Sequence, residues 1–179
     1  MKCLRPLNLL VIILLMGCSS NQQTAPPAST HQPLQVFLVR HAEKADASRD
    51  TDLSPQGYER ASTLAAVLRS SDITRIHSSD YKRTRNTAAP VAAQLGLEVE
   101  LYDPRNLPDF AAQLKAAGGI HLVVGHSNTT PALTALLGGD PGTPIEEKAE
   151  YDRLYMVSIA ADGSVSSTLL RFGNKYAPH

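Results

Sequence analysis

From residue 34 onward, short apolar runs alternate with stretches whose apolar residues recur every three or four positions. No other feature constrains the fold as strongly. Residues 34–40 (LQVFLVR) form the near-continuous apolar run of a strand buried on both faces of a parallel sheet. Ser54-Pro55 reads as a helix N-cap followed by proline at the first helical position. Ala61, Leu64, Ala65 and Leu68 then repeat at i, i+3, i+4 and i+7, one face of an amphipathic helix. The pattern continues with a strand at 73–77 and a helix at 81–95, whose stripe of Ala88, Val91, Ala92 and Leu95 is closed by Gly96. A strand at 97–102, a helix at 108–117, a strand at 120–124 and a helix at 129–137 follow. Pro90 is expected to kink or split its helix, since it removes a donor and clashes one turn back. Gly118-Gly119 reads as a break. Two late runs, 153–160 and 164–171, flank Ala161-Asp162-Gly163, a hairpin signal. Strands separated by helices imply an α/β fold of three layers, α/β/α. Its central sheet is mostly parallel, with helices on both faces and a C-terminal β-hairpin at one edge.

The chain ahead of this pattern has a different character. Lys2 and Arg5 precede an apolar run at residues 9–16 (LLVIILLM), too short to span a ~30 Å hydrocarbon core but of the size of a signal-peptide h-region. It ends in Leu15-Met16-Gly17-Cys18, which resembles the lipobox of bacterial lipoproteins, where the Cys becomes the lipidated first residue of the mature chain. Ser19, in place of Asp, points by the same resemblance to the outer membrane. Residues 19–33 are polar, rich in Ser, Thr, Gln and Pro, and carry no Asp, Glu, Lys or Arg, so they read as a tether. The expected organisation is therefore a signal peptide at 1–17, lipidated Cys18 with a tether through residue 33, and one folded domain at 34–179. Its expected location is the bacterial cell envelope, anchored by lipid on the periplasmic face of the outer membrane. Cys3 and Cys18 are the two cysteines of the chain, which excludes a disulfide framework, a Cys-rich zinc site and an iron–sulfur cluster. A formal net charge of zero argues against a nucleic-acid partner.

In open α/β sheets the site forms beyond the carboxyl ends of the strands. Those positions hold Arg40-His41, then Ser78-Ser79 with Arg83 one turn later, then Asp103, then His126. A single histidine is more often structural than functional. Two histidines, two arginines and a carboxylate converging on one sheet edge are a different matter. His77 and His121 fall inside strands, and His31 and His179 lie near the chain ends; all four read as bystanders. Tyr151-Asp152-Arg153 opens a strand and reads as structural.

These positions lie in four ordered blocks. Leu38-Val39-Arg40-His41-Ala42-Glu43-Lys44 is similar to the opening signature of the histidine phosphatase superfamily, the phosphoglycerate-mutase-like fold. Leu53-Ser54-Pro55-Gln56-Gly57 with Arg60-Ala61 resembles its next block. Ser78 with Arg83-Thr84 and Thr87-Ala88 resembles the block of the second arginine, and Val124-Gly125-His126-Ser127-Asn128 that of the second histidine. The resemblance covers roughly residues 34 to 130. It implies a phosphomonoesterase with no cofactor and no metal, in which His41 attacks phosphorus and becomes phosphohistidine. Arg40 and Arg83 would grip phosphate oxygens as planar forks. A protonated His126 would donate to a non-bridging oxygen, with Ser127 and Asn128 as further donors or as caps of the next helix. A carboxylic acid would protonate the leaving oxygen and later activate water. Asp103 fits that position, with Glu43, Glu98 and Glu100 as rivals; Arg105 would add charge near the mouth, whereas Lys44 reads first as a solvated surface residue and only second as a further charge there. The spacing between blocks leaves no room for a cap domain, so the site is expected to be open. Export would separate the protein from glycolytic sugar phosphates, which argues against a mutase. The expected partner is a phosphorylated small molecule, or a glycan or lipid phosphate of the envelope.

Three competing readings remain. A non-catalytic module binding phosphate ligands could occupy the same fold. Gly125-His126-Ser127-Asn128-Thr129 is one residue away from a G-x-S-x-G elbow, which would make Ser127 the nucleophile of a serine esterase. A metal hydrolase built on His41, His126 and Asp103 lacks any short ligand spacing.

Overall fold

The computed structural model describes residues 32–176. The expected signal peptide, lipidated Cys18, most of the tether, His31 and His179 lie outside the described residues.

Six strands and four helices follow one another as β1 (Leu34–Arg40), α1 (Pro55–Val67), β2 (Arg75–Ser79), α2 (Lys82–Leu95), β3 (Val99–Tyr102), α3 (Leu107–Ala117), β4 (Gly119–Gly125), α4 (Thr129–Leu136), β5 (Arg153–Ile159) and β6 (Val165–Arg171). The sheet order is β3-β2-β4-β1-β5-β6. The first four strands in that order are mutually parallel, β5 runs antiparallel to β1, and β6 closes the hairpin at the edge.

The two-residue period of β1 divides the core. Val36 and Leu38 point to one face, where they meet Phe110, Ala111 and Leu114 of α3 and Leu133 of α4. Phe37 and Val39 point to the other, against Leu64 and Ala65 of α1 and Ala88, Val91 and Ala92 of α2. Both faces being covered is why β1 reads as continuously apolar. The three-layer α/β/α architecture with its C-terminal hairpin is thus observed.

Local details differ from the sequence reading for identifiable reasons. The second strand starts at Arg75, not at residue 73, and runs on to Ser79. Ile73 is apolar because it is buried in the α1–α2 core, below the start of the ladder. Likewise Leu97 packs against that core, but its amide donates to Ala92 O and closes α2, so β3 begins later. Gly119 does not break the chain; it opens β4. Pro90 does not split α2, which runs unbroken from Lys82. Buried Ala88, Val91 and Ala92 hold the helix to the sheet on both sides of the proline, and that packing outweighs its cost of about 3 kcal/mol. Ser54 caps α1 as expected, its Oγ accepting from Gly57 N at 3.1 Å.

Register fixes what comes after the strands. Arg40 pairs with Gly125 across β1 and β4, and His41 N donates to Gly125 O at 2.9 Å. The residues that follow, His41 and His126, therefore emerge side by side. At Gly125 a side chain has no room: a Cβ would lie 2.9 Å from both Thr129 Oγ1 and the Tyr102 hydroxyl.

Candidate active site

The His41 and His126 rings face each other edge-on with centroids 5.6 Å apart. His41 is 4% exposed. Its Nδ1 donates to Ala42 O at 2.8 Å, a carbonyl held in place because Ala42 N donates to Thr87 Oγ1. That bond sets the tautomer and leaves the Nε2 lone pair free. Burial above all, with the fields of Arg40, Arg83 and His126 and against the pull of Ala42 O, lowers the imidazole to about 2. The ring is neutral across the physiological range, as a nitrogen nucleophile requires.

Arg40 is held by backbone from far along the chain. Its Nη1 donates to Glu150 O at 2.9 Å and to Glu146 O at 3.3 Å, and its Nη2 donates to Glu147 O at 2.6 Å. One face of the guanidinium covers the Tyr151 ring at 4.1 Å. Arg83, at the start of α2, donates from Nη1 to Arg49 O at 2.8 Å and stacks over Tyr81 at 4.4 Å. Among the described residues, two buried side-chain polar atoms have no hydrogen-bond partner, and they are Arg40 Nε and Arg83 Nε. Buried donors without partners are costly. Here both belong to cations whose fields reach His41 and His126, which is the signature of a pocket built for an anion. Burial lowers both guanidinium groups. Tyr151, Glu147 and Glu150 act in the opposite direction on Arg40, and Tyr81, Asp50 and Glu147 do so on Arg83.

His126 is positioned from β2. Its Nε2 lies 2.9 Å from Ser79 Oγ, which is fully buried and can donate on to Thr84 Oγ1 at 3.2 Å. If Ser79 donates to Thr84, it accepts from His126 Nε2–H and leaves Nδ1 for a ligand. Burial first, then the fields of Arg83 and Arg40, lower His126 to about 4. These effects favour the neutral ring near neutral pH. A bound dianion would offset those arginine fields and favour the proton. Ser127 is half-buried and Asn128 exposed. Asn128 occupies the N-cap position of α4 without a side-chain cap bond, so capping does not account for it. The hydroxyl on His126 is that of Ser79, not Ser127, and among the described residues Ser127 has no histidine partner such as an esterase nucleophile needs.

The carboxylates are distributed elsewhere. Asp103 sits at the carboxyl end of β3, 49% exposed, with its Oδ atoms bound by Arg105 Nε at 3.0 Å and Nη2 at 3.2 Å. Those hydrogen bonds hold its carboxyl below the usual carboxylate range. Asp103 is thus paired with Arg105 at the rim of the cleft beside Tyr81. Glu43 is clamped by Arg60, with three contacts of 2.7 to 3.0 Å. Glu100 is bound by Arg75. Glu98 precedes β3, at the end of the sheet opposite the site. Among the described residues, no group of three or more His, Cys, Asp or Glu side chains could hold a metal ion.

Sequence reasoning assigned Tyr151 to structure, yet its ring forms the floor under Arg40 and lies 6.1 Å from His41. It also missed Ser79 as the partner of His126, and the backbone of residues 146–150 as the cradle of Arg40. Carbonyl cradles have no side-chain signature; the buried Ser79 next to a strand end was the one signal available. Tyr81, stacked under Arg83 and edge-on to His126, also lines a cleft of about 730 Å³ whose walls include Arg49, Asp50, Asp80, Asp103 and Arg105.

Comparison with known proteins agrees with this geometry. Residues 36–104 match the family described as the histidine phosphatase superfamily (branch 1). A curated relative from Yersinia enterocolitica, named "Probable phosphoglycerate mutase GpmB", is 44% identical over 79 residues, 40% of this chain and 36% of the relative. The match thus spans little more than a third of the length of that relative. Among solved structures, the protein histidine phosphatase SixA, complexed with tungstate, superposes with a TM-score of 0.62 at 22% identity, covering 77% of this chain and 97% of SixA. The mycobacterial glucosyl-3-phosphoglycerate phosphatase does so with 0.59 at 17%, covering 78% and 98%. Residues 36–104 thus resemble the histidine phosphatase superfamily (branch 1) in sequence, and the described residues share the fold of these solved structures.

Proposed function

We propose that the protein is a phosphomonoesterase that works through a phosphohistidine formed on His41. One observation carries this reading: a neutral, tautomer-fixed imidazole with a free Nε2 lies in the field of buried Arg40 and half-buried Arg83, each with a buried, unpaired Nε donor. The arginines and the other histidine would neutralise the dianion while Nε2 approaches in line with the leaving oxygen. Catalysis of this kind is mainly positioning and electrostatics. Ser127 and Asn128, unengaged at the N-terminus of α4, would add donors to the phosphate. The open cleft beside Tyr81 suits a phosphorylated small molecule, or a phosphate on an envelope glycan or lipid. Residues 1–18 support a lipid-anchored place in the envelope, at the periplasmic face of the outer membrane.

The test uses the full chain and a generic aryl phosphate in the presence of EDTA. Hydrolysis is expected to proceed through an acid-labile, base-stable phosphoenzyme. His41→Ala is expected to lose that species and at least about 1,000-fold in kcat/KM. A His41→Ala protein of full activity would sink the mechanism. Transfer of the phosphoryl group to a second sugar phosphate in preference to water would favour a mutase instead.

A further inference from the structure

The proposed chemistry needs a proton for the leaving oxygen, and the carboxylates nearest in sequence to the site residues do not supply it. Glu43 belongs to Arg60, Glu100 to Arg75 and Asp103 to Arg105, each through short hydrogen bonds. One carboxylate at the pocket differs. Glu147 lies in the segment between α4 and β5 that cradles Arg40, and its own carbonyl accepts from Arg40 Nη2 at 2.6 Å. It lines a cleft with Ser127 and Asn128, the residues that follow His126. Among the described residues its carboxylate makes no hydrogen bond or ion pair, although its charge is felt by both Arg40 and Arg83. A carboxylate with no partner of its own, beside the cations that would hold the phosphate, is free to exchange a proton with a bound ester.

We propose that Glu147, not Asp103, is the proton carrier of this site; the proposal rests on the phosphatase reading above. In the first half-reaction His41 Nε2 bonds to phosphorus, the bond from phosphorus to the leaving oxygen breaks, and that oxygen takes the proton of the Glu147 carboxyl. In the second, the Glu147 carboxylate takes a proton from water as its oxygen bonds to phosphorus. The P–N bond breaks, inorganic phosphate leaves, and the carboxyl is restored. The sum is one ester and one water giving one alcohol and one phosphate.

Leaving groups separate this role from a structural one. The full chain and its Glu147→Gln and Asp103→Asn variants are compared on an alkyl phosphate, whose leaving oxygen needs the proton, and on nitrophenyl phosphate, whose leaving oxygen does not. Glu147→Gln is expected to slow the alkyl ester by about 100-fold or more. Phosphoenzyme formation from the nitrophenyl ester should fall by less than about 10-fold, and the phosphoenzyme should accumulate because its hydrolysis has lost the base. Equal slowing of both esters, no slowing of either, or the same leaving-group signature in Asp103→Asn would overturn the assignment. A wild-type protein that forms no phosphoenzyme from either ester would overturn the phosphatase reading itself, and a wild type that forms it isolates the fate of Glu147. Glu147 is exposed and its side chain holds nothing else together, so the variant should fold; matching circular dichroism checks this.

Discussion

Ser79 reaches His126 from a fully buried position, so a change there acts on the second histidine with little effect on the surface. Removing its hydroxyl leaves His126 Nε2 without a buried partner, a loss of roughly 1–3 kcal/mol, and frees the ring to turn. Ser79→Ala should therefore lower kcat/KM by about 10-fold or more while phosphate still binds at the arginines; an unchanged kcat/KM would remove Ser79 from the machinery. The contrast between Ser79 and its neighbours explains what sequence can reveal. His41, His126, Arg40 and Arg83 were legible because a nitrogen nucleophile and forked anion ligands require particular side chains at strand and helix ends. Tyr151 and Ser79 were not, because they act by where the fold puts them: one as a ring under a guanidinium, the other as a hydroxyl behind an imidazole. Asp103 stands at the strand end where spacing puts it, and its ion pair with Arg105 two residues later is a local contact that spacing does not show.

At the scale of elements, the segment between α4 and β5 matters more than its composition suggests. Glu146, Glu147 and Glu150 in one short stretch look like a solvated loop. In the structure Glu150 is buried and paired with Arg153 at 2.6 Å, with Arg171 of β6 at 2.7 Å on the same oxygen. Arg153 is further tied to Thr143 O and the Tyr155 hydroxyl. This network holds the backbone that holds Arg40. Breaking a buried pair by removing one partner typically costs about 3–5 kcal/mol. Glu150→Ala is expected to lose stability of that order in urea unfolding and, in the folded fraction, to raise the KM for phosphate esters. Full stability would show that the pair is not what fixes the segment. The alternation of strands and helices, by contrast, was readable from hydrophobic period alone. It failed only where an apolar residue packs outside the ladder, as Ile73 and Leu97 do, or where buried neighbours overrule a helix breaker, as around Pro90.

Among the described residues, buried His41, His77 and His121 and half-buried His126 share one electrostatic fate, each lowered by burial. Burial pushes His41 to about 2 and His77 and His126 to about 4, against about 6.5 in an unfolded chain. Below that value the unfolded chain binds more protons than the folded one. Stability is therefore complete above pH ~6.5 and is lost as the pH falls toward the folded values. His77, which donates to His121 Nδ1 if His121 Nε2–H is spent on Gly118 O, should account for up to about 3 kcal/mol of that loss. The urea midpoint is expected to fall steadily between pH 6.5 and 4, and more gently in His77→Gln, which takes up no proton. Identical slopes for the two proteins would refute this role for His77.

The contacts of Arg40 also bear on how the protein is made. The carbonyls that receive its guanidinium lie 106 to 110 residues downstream, and β1 needs β5 as its second neighbour. A chain still on the ribosome can have displayed all four of its recognisable blocks and yet own no anion pocket. Long-range closure of this kind is slow, so the site should appear only after translation has passed β5. A premature stop codon anywhere between residues 130 and 153 would spare every motif and still abolish the pocket.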